Sequence, residues 1–502
     1  MKARVVAHRD FSIGAVDPRV YSAFLEHLGR AIYTGIYEPG HSTADGDGFR
    51  GDVLDIVKKL NIPLVRYPGG NFVSNYNWED GIGPRESRPT RLDLAWRTRE
   101  NNEIGVDEFA RWCEAADTEM MMAVNLGTRG HDAALGLLEY CNHPGGTYWS
   151  DLRKRNGRAE PYGVRVWCLG NEMDGPWQIG HKTAHEYGRI ANEVGRAMKG
   201  FDAKLELVAC GSTHNNMKTY PAWEAEVLEQ CYDTVDYVSL HSYFENYEAD
   251  TQNFLAKSVV MERYIHTVVG AIDYVKAKVR SKKDLYISFD EWNVWYHQRR
   301  QDHDKFSTWD WPLAPPLLEE IYNFEDVLVV GCVINAFIRR CDKVKIACIA
   351  QLVNVIAPIM TETGGRAWCQ TIYYPLLLAS LHGRGEALHL FVDVPTYDAP
   401  AADDVPYLDV VGLHDAQTGT IALFAINRHP TEALDLSVEL AGFPKATLVE
   451  HTIIHHPDLQ AINSADAPNT VLPRSQTGTL VEEGSVRAKL VAHSYNLIRL
   501  SV

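Results

Sequence analysis

Cysteine is scarce in this sequence: nine in 502 residues, an odd number, with no CxxC pair. That excludes a disulfide framework as the organising device and leaves buried free thiols in a reducing compartment as the expectation. The first ten residues, Met1 to Asp10, lack the apolar core of a secretory signal, so a cytoplasmic location is expected. Long hydrophobic runs are missing as well. The longest, near Val327 to Ile338, is too short to span a bilayer and reads as a buried helix. Basic side chains are the minority, 49 against 66 acidic, for a net charge of −17. Nucleic acids and anionic membranes reward Lys and Arg clusters, so neither is expected as a partner. No internal repeat, low-complexity tract, GxGxxG fingerprint, P-loop or GxSxG elbow occurs. His181 and His185 stand four apart at the start of a helical pattern, but Lys182 follows His181, so the HExxH pattern fails. They read as a surface helix pair, and His455-His456 as solvated; no metal and no cofactor is expected.

What is present is a regular alternation. From about residue 19 to 383, strand-like runs alternate with helical patterns. The strands are Val20 to Leu28, Pro63 to Pro68, Met120 to Leu126, Val164 to Leu169, Leu205 to Cys210, Tyr237 to His241, Leu285 to Phe289 and Val344 to Leu352. Helical patterns between them include Asp52 to Leu60, Thr183 to Met198, Leu255 to Val279 and Leu317 to Arg340, with a last helix at about Gln370 to Leu381. Eight alternating units imply a parallel sheet, most economically closed as a (β/α)8 TIM barrel, with a doubly wound open sheet as the alternative. After about Gly385 the runs become short, alternating and turn-separated: Ala387 to Val394, Leu408 to Leu413, Thr420 to Asn427, Leu434 to Leu440, Ala446 to Ile454 and Leu490 to Leu500. They predict an antiparallel, jelly-roll-like β-sandwich. The expected division is a catalytic barrel over 14–383 and a sandwich over 384–502, joined by an N-terminal strand, 1–13.

In a barrel of this kind the active site lies at the C-terminal ends of the strands. Two of those ends carry glutamates: Glu172 after Val164 to Leu169, and Glu291 after Leu285 to Phe289, 291 − 172 = 119 residues apart. Glu is rarely buried without a partner, so packing explains them poorly. Taken singly, each could be a strand-end carboxylate paired with a rim arginine. Together they suggest two carboxylates facing one substrate, as glycosidic bond cleavage requires. The other ends supply amides, hydroxyl groups and indoles, suited to a polyhydroxylated ligand: Glu26-His27, Arg66 to Asn71, Asn125 to Arg129, His241 to Tyr243 and Gln351 to Asn354. Glu172 heads a loop containing Asp174 and Trp177, and a second negative charge or burial by Trp177 would raise its pKa. Glu291 must stay ionised to attack, so donors such as Tyr243 or Arg66 would help it.

Whole motifs carry a resemblance. Arg66 to Phe72 (RYPGGNF), Trp78 to Pro84 (WEDGIGP), Cys168 to Gln178 (CLGNEMDGPWQ), Phe289 to Tyr296 (FDEWNVWY) and Ala350 to Pro358 (AQLVNVIAP) closely resemble the α-L-arabinofuranosidases of glycoside hydrolase family 51. The likeness runs from Phe24 through the sandwich. It implies retaining, exo-acting release of terminal non-reducing α-L-arabinofuranosyl residues from arabinoxylan- or arabinan-derived oligosaccharides by double displacement, without a cofactor. Glu172 would be the acid/base and Glu291 the nucleophile. Glu26, Asn71, Asn171, Tyr243 and Gln351 would hold the arabinofuranosyl ring, with Asn171 placed for the 2-hydroxyl. His241 would support the acid/base or the ring, and Trp96 and Trp295 would line the leaving-group side, stacking through their apolar faces. By the same analogy the chain would be a hexamer. Alternatives are an endo-β-glucanase or xyloglucanase of the same family, a carbohydrate-binding barrel without activity, and a barrel lyase or isomerase. The sequence departs from the family pattern in Phe244 to Asp250 and in His297 to Trp311, both expected as rim loops.

Overall fold

The computed structural model describes residues 1–306 and 308–502. Eight parallel strands close into a barrel in sequence order: β1 (Ser22–Phe24), β2 (Leu64–Tyr67), β3 (Glu119–Val124), β4 (Val166–Leu169), β5 (Glu206–Cys210), β6 (Tyr237–Phe244), β7 (Tyr286–Val294) and β8 (Val344–Ala350). The closure runs through the pairing of β8 with β1, Cys348 opposite Ser22 and Ala350 opposite Phe24. The open doubly wound sheet is thereby ruled out. Val65, Val166, Leu207, Ile287 and Ile346 are all nearly inaccessible, so the strands are apolar on both faces, as a barrel wrapped by helices demands. The helices carry their own boundary signals. Thr183 and Glu186 form a reciprocal cap at the start of Ala184–Phe201, Thr183 N–H donating to Glu186 at 3.0 Å and Glu186 N–H to Thr183 at 3.3 Å. His181 therefore precedes that helix, and only His185 lies on it.

Three expectations about elements are corrected. The run Leu317 to Arg340 is helical only over Phe324–Arg339, because Asn323 caps it by accepting the Asp326 N–H. The stretch His297 to Trp311 contains a helix, Arg299–Phe306, rather than being all loop. Leu490 to Leu500 is two strands, Ser485–Leu490 and Ser494–Ser501, broken at the intervening turn. A helix at Tyr148–Arg155 was not anticipated.

The C-terminal strands form one ten-stranded sheet that encloses a second, separate core, with Val5, Leu423, Val438, Val486 and Ile498 among its members. Its pairing is antiparallel except in one place. The N-terminal strand, Lys2–Ala15, runs antiparallel to Glu386–Asp393 but parallel to Leu434–Ala441. Consecutive hairpins force antiparallel neighbours; a strand arriving from the far end of the chain carries no such constraint. Helix Phe324–Arg339 is buried on all sides, packed between barrel and sheet, with Gly331 set against the Tyr495 ring, 2.6 Å from where a Cβ would lie. Asp409 on the sheet accepts Arg339 at 2.8 Å and also Arg428, an ion network that ties the two parts together. Among the described residues no helix is long and apolar enough to cross a membrane.

Candidate active site

The C-terminal rim of the barrel opens into a cleft of about 360 Å3. Eight of the ten side chains singled out from sequence line it: Glu26, Asn71, Trp96, Glu172, Tyr243, Glu291, Trp295 and Gln351. Asn171 and His241 do not. They lie buried behind the wall, where they hold the residues that do.

Glu172 and Glu291 face each other, a carboxylate oxygen of each coming within 4.8 Å of the other and of a ring nitrogen of His241. Glu172 follows β4 in a left-handed backbone conformation, φ +44°, which turns its carboxyl into the cleft at a cost of about 1–2 kcal/mol. Its Oε2 accepts the Trp177 indole N–H at 2.9 Å and its Oε1 lies 2.9 Å from His241 Nδ1. Glu291 is flanked differently. Arg66 donates to its Oε1 at 2.7 Å and the Tyr243 hydroxyl to its Oε2 at 2.9 Å.

Beneath both carboxylates lies a fixed cationic layer. Arg66, 1% exposed, also donates to Asn171 Oδ1 at 2.7 Å and stacks 4.8 Å above the Phe24 ring. His241 touches Asp290 through Nε2 at 3.0 Å, and Asp290 accepts Ser239 at 2.5 Å and Ser288 at 3.2 Å. Burial alone would lower the His241 pKa, but Glu291, Asp290 and Glu172 outweigh it and push it up to about 10. The ring is therefore an imidazolium that donates to both Glu172 and Asp290. Asp290, despite burial, is held below the usual carboxylate range by Arg66, His241 and Ser239. Glu172 is raised, first by burial and further by the charge of Glu291, against the bonds from His241 and Trp177.

Two sequence-level inferences about Glu172 change here. Asp174 does not press on it; that carboxylate turns to the Thr213 hydroxyl at 2.5 Å. Trp177 contributes a hydrogen bond that stabilises the charged form, the opposite of the expected effect. Asn171 reaches no open cleft surface, since its Nδ2 faces Asn71 Oδ1 at 3.5 Å. Trp295 does not present a bare face either. The Arg299 guanidinium carbon sits 4.1 Å from its ring centre, and Tyr243 meets it edge-on.

Glu26 forms the far wall. Its backbone N–H donates to Gln351 Oε1 at 2.9 Å, while its Oε1 accepts the Phe72 N–H at 2.8 Å and the Trp96 indole at 3.0 Å. A Cβ on Gly70 would come within 2.3 Å of Glu26 Oε2, so only glycine lets this carboxyl lie against the end of β2. Burial, then the charge of Glu291, pushes Glu26 up to about 8. Trp96 arrives on a hairpin, Arg91–Asp93 with Thr98–Glu100, whose turn is closed by Asp93 accepting the Ala95 N–H at 2.9 Å.

The sequence reading missed Thr213 and His214, which follow β5, and Arg299 and Leu318, all of which line the cleft. A signal existed for the first pair: they stand at the end of a barrel strand. Glu172, His241 and Glu291 have a spacing that a metal ion could use. An imidazolium donating N–H to carboxylates has no lone pair to offer, so the group fits a proton-handling site better.

Known proteins resemble this chain over its whole length. Residues 56–258 match the model of the alpha-L-arabinofuranosidase 1 domain, and residues 290–494 that of the alpha-L-arabinofuranosidase C-terminal domain. The chain is 52% identical to an intracellular exo-alpha-(1->5)-L-arabinofuranosidase of Halalkalibacterium halodurans, covering 100% of this chain and 99% of that one. It is 51% identical to intracellular exo-alpha-(1->5)-L-arabinofuranosidase 1 of Bacillus subtilis, covering 99% of each. It superimposes with a TM-score of 0.95 on a family 51 alpha-L-arabinofuranosidase from Bifidobacterium longum, at 45% identity and 99% coverage of both chains.

Proposed function

We propose a retaining double displacement for this chain, which belongs to the α-L-arabinofuranosidases of glycoside hydrolase family 51 and is an exo-acting α-L-arabinofuranosidase. The observation that carries the proposal is the approach of the two carboxylates to within 4.8 Å. Retaining enzymes hold their two carboxyl groups about 5–5.5 Å apart, whereas inverting ones need about 6.5–9.5 Å to admit a water between the sugar and the base; carboxylate oxygens this close fit the shorter spacing.

In the first step the Glu291 carboxylate attacks the anomeric carbon as the bond to the leaving oxygen breaks. Glu172 gives its proton to that oxygen, and a glycosyl ester forms on Glu291. Esterification removes the charge of Glu291, one of the causes that raises Glu172. Glu172 thereby changes from acid to base without moving. In the second step it takes a proton from water, the hydroxide attacks the anomeric carbon, and Glu291 leaves as a carboxylate held by Arg66 and Tyr243. Glu26, Asn71 and Gln351 would grip the sugar ring, with Arg66 and Asn171 fixing Asn71 and Glu291 from behind.

The proposed substrates are arabinan- or arabinoxylan-derived oligosaccharides, met in a reducing cytoplasm where buried thiols such as Cys168 and Cys348 persist. The test is a pair of variants. Glu291→Ala should lose turnover, with azide restoring it as a glycosyl azide of inverted configuration. Glu172→Ala should slow natural linkages far more than aryl glycosides, whose leaving groups need no proton. The reverse pattern would overturn the assignment. No nitrophenol released by the parent from 4-nitrophenyl α-L-arabinofuranoside between pH 5 and 8 would overturn the activity itself.

A further inference from the structure

The two segments that depart from the family pattern, Phe244 to Asp250 and His297 to Trp311, have no part in the displacement just described. In the structure they meet at the mouth of the cleft. Arg299 Nη1 lies 3.7 Å from Glu245 Oε2, and the Arg300 guanidinium carbon lies 4.3 Å from the centre of the Tyr247 ring. Arg299 itself stacks on Trp295 and lines the cleft together with Glu172, Trp177 and His214. We propose that Arg299 is a specificity-determining residue that binds the leaving-group sugar through its guanidinium N–H groups. The proposal rests on the assignment of Glu172 as the acid.

The direction of the leaving group follows from that acid. Glu172 must deliver its proton to the departing oxygen, so the cleft beside it is the leaving-group side. Trp177, bonded to Glu172 Oε2, forms one boundary there, with His214 stacked parallel to it at 6.4 Å and 6°. Arg299 belongs to the same part of the cleft. The His214 pKa is lowered chiefly by burial, and the nearby positive charge of Arg299 lowers it further against Asp174.

Arg299 is also held in place from below. Buried Glu320 accepts the backbone N–H groups of His297 at 2.6 Å and Gln298 at 2.8 Å, the two residues that lead into it. Asp302, on the Arg299–Phe306 helix, accepts the Leu318 N–H at 2.8 Å, which joins that helix to another residue of the cleft wall. The Arg299 side chain is 45% exposed, as is that of Glu245, so their ion pair is weak and leaves donors available. Arginine offers five N–H donors and no acceptor. A sugar presents hydroxyl and ring oxygens that complement them, and a nitrophenyl group presents no such array near the bond.

Arg299→Ala and Arg299→Lys would be compared with the parent on α-1,5-linked arabinobiose and arabinotriose and on 4-nitrophenyl α-L-arabinofuranoside. Loss of a hydrogen bond from a charged group predicts that the ratio of oligosaccharide to aryl kcat/KM falls about tenfold for Ala. Lysine, which keeps the charge without the planar stack, should recover part of it. An equal loss on both substrates would overturn the proposal, because Arg299 would then only support Trp295 and Tyr243. An unchanged ratio would also overturn it. If Glu172→Ala slowed both substrate types equally, the acid assignment would fail first, and that result is separable from the Arg299 ratio.

Discussion

Arg66→Met tests the cationic layer under the site most directly. Methionine keeps an unbranched apolar stem against Phe24 but removes the guanidinium. Glu291 Oε1 and Asn171 Oδ1 lose donors at 2.7 Å, and Asp290 loses a charge 3.9 Å away. Removing one partner of a buried ion pair costs about 3–5 kcal/mol, because the other is left uncompensated. Unfolding entropy of about 2.1 cal/mol/K per residue sums, over 502 residues, to roughly 1 kcal/mol/K, so the Tm should fall by about 3–5 °C. The loss should depend on pH. Asp290 has a depressed pKa, so its pairing stabilises the fold above the ordinary carboxylate value and is lost as pH falls through the folded one. The gap between parent and variant should therefore be widest near pH 7 and narrow below about pH 4. Activity should drop as well. A hydrogen bond to a charged group is worth about 1.5–3 kcal/mol, a factor of roughly 10–150 in kcat. Scanning calorimetry at pH 7 and at about pH 3, below the ordinary carboxylate value, with initial rates on the aryl arabinofuranoside, makes the measurement. A Tm within about 1 °C of the parent at pH 7, with kcat unchanged, would refute the reasoning.

Trp177→Phe keeps the stack on His214 but removes the N–H that stabilises charged Glu172. Glu172 should then hold its proton to higher pH, moving the alkaline limb of kcat/KM upward; a downward move would contradict the assignment. Asp409→Asn probes the junction between barrel and sheet. Burial opposes ionisation of Asp409, but Arg339 and Arg428 lower its pKa from 3.8 to about 2, equivalent to about 2 kcal/mol of stability. That contribution is present above about pH 4 and disappears toward pH 2, so urea titrations of parent and variant should differ at pH 7 and converge in acid. A constant difference across that range would point instead to a packing defect.

Much of the barrel was legible because its strands are buried on both faces. Uninterrupted apolar runs such as Val166 to Leu169 and Leu207 to Cys210 have few other places to go. Element boundaries were less so. Leu317, Leu318, Ile321 and Tyr322 extend the apolar pattern of the helix that follows, and the side chain of Asn323 marks where the helix begins. The parallel pairing of Lys2–Ala15 with Leu434–Ala441 joins residues more than 400 positions apart, and no local pattern encodes it.

The sequence by itself placed Glu172 and Glu291 at the C-terminal rim of the barrel, because strand periodicity and barrel order fix which residues reach it; β7 runs on to Val294, so Glu291 lies within that strand rather than after it. It could also name Arg66 and Tyr243 as donors to Glu291, since both stand at the same rim, Tyr243 on the adjacent β6 and Arg66 on β2. What only the tertiary structure decided is the electrostatics between those ends. Asp174 turns away to Thr213, Trp177 turns in as a donor, and His241 becomes a buried cation between Glu172 and Asp290. These outcomes depend on distances of 2.5 to 3.0 Å between side chains on different strands and loops. A linear sequence carries the identity of those groups, but their separation is set by how the strands stagger and where the loops fold back.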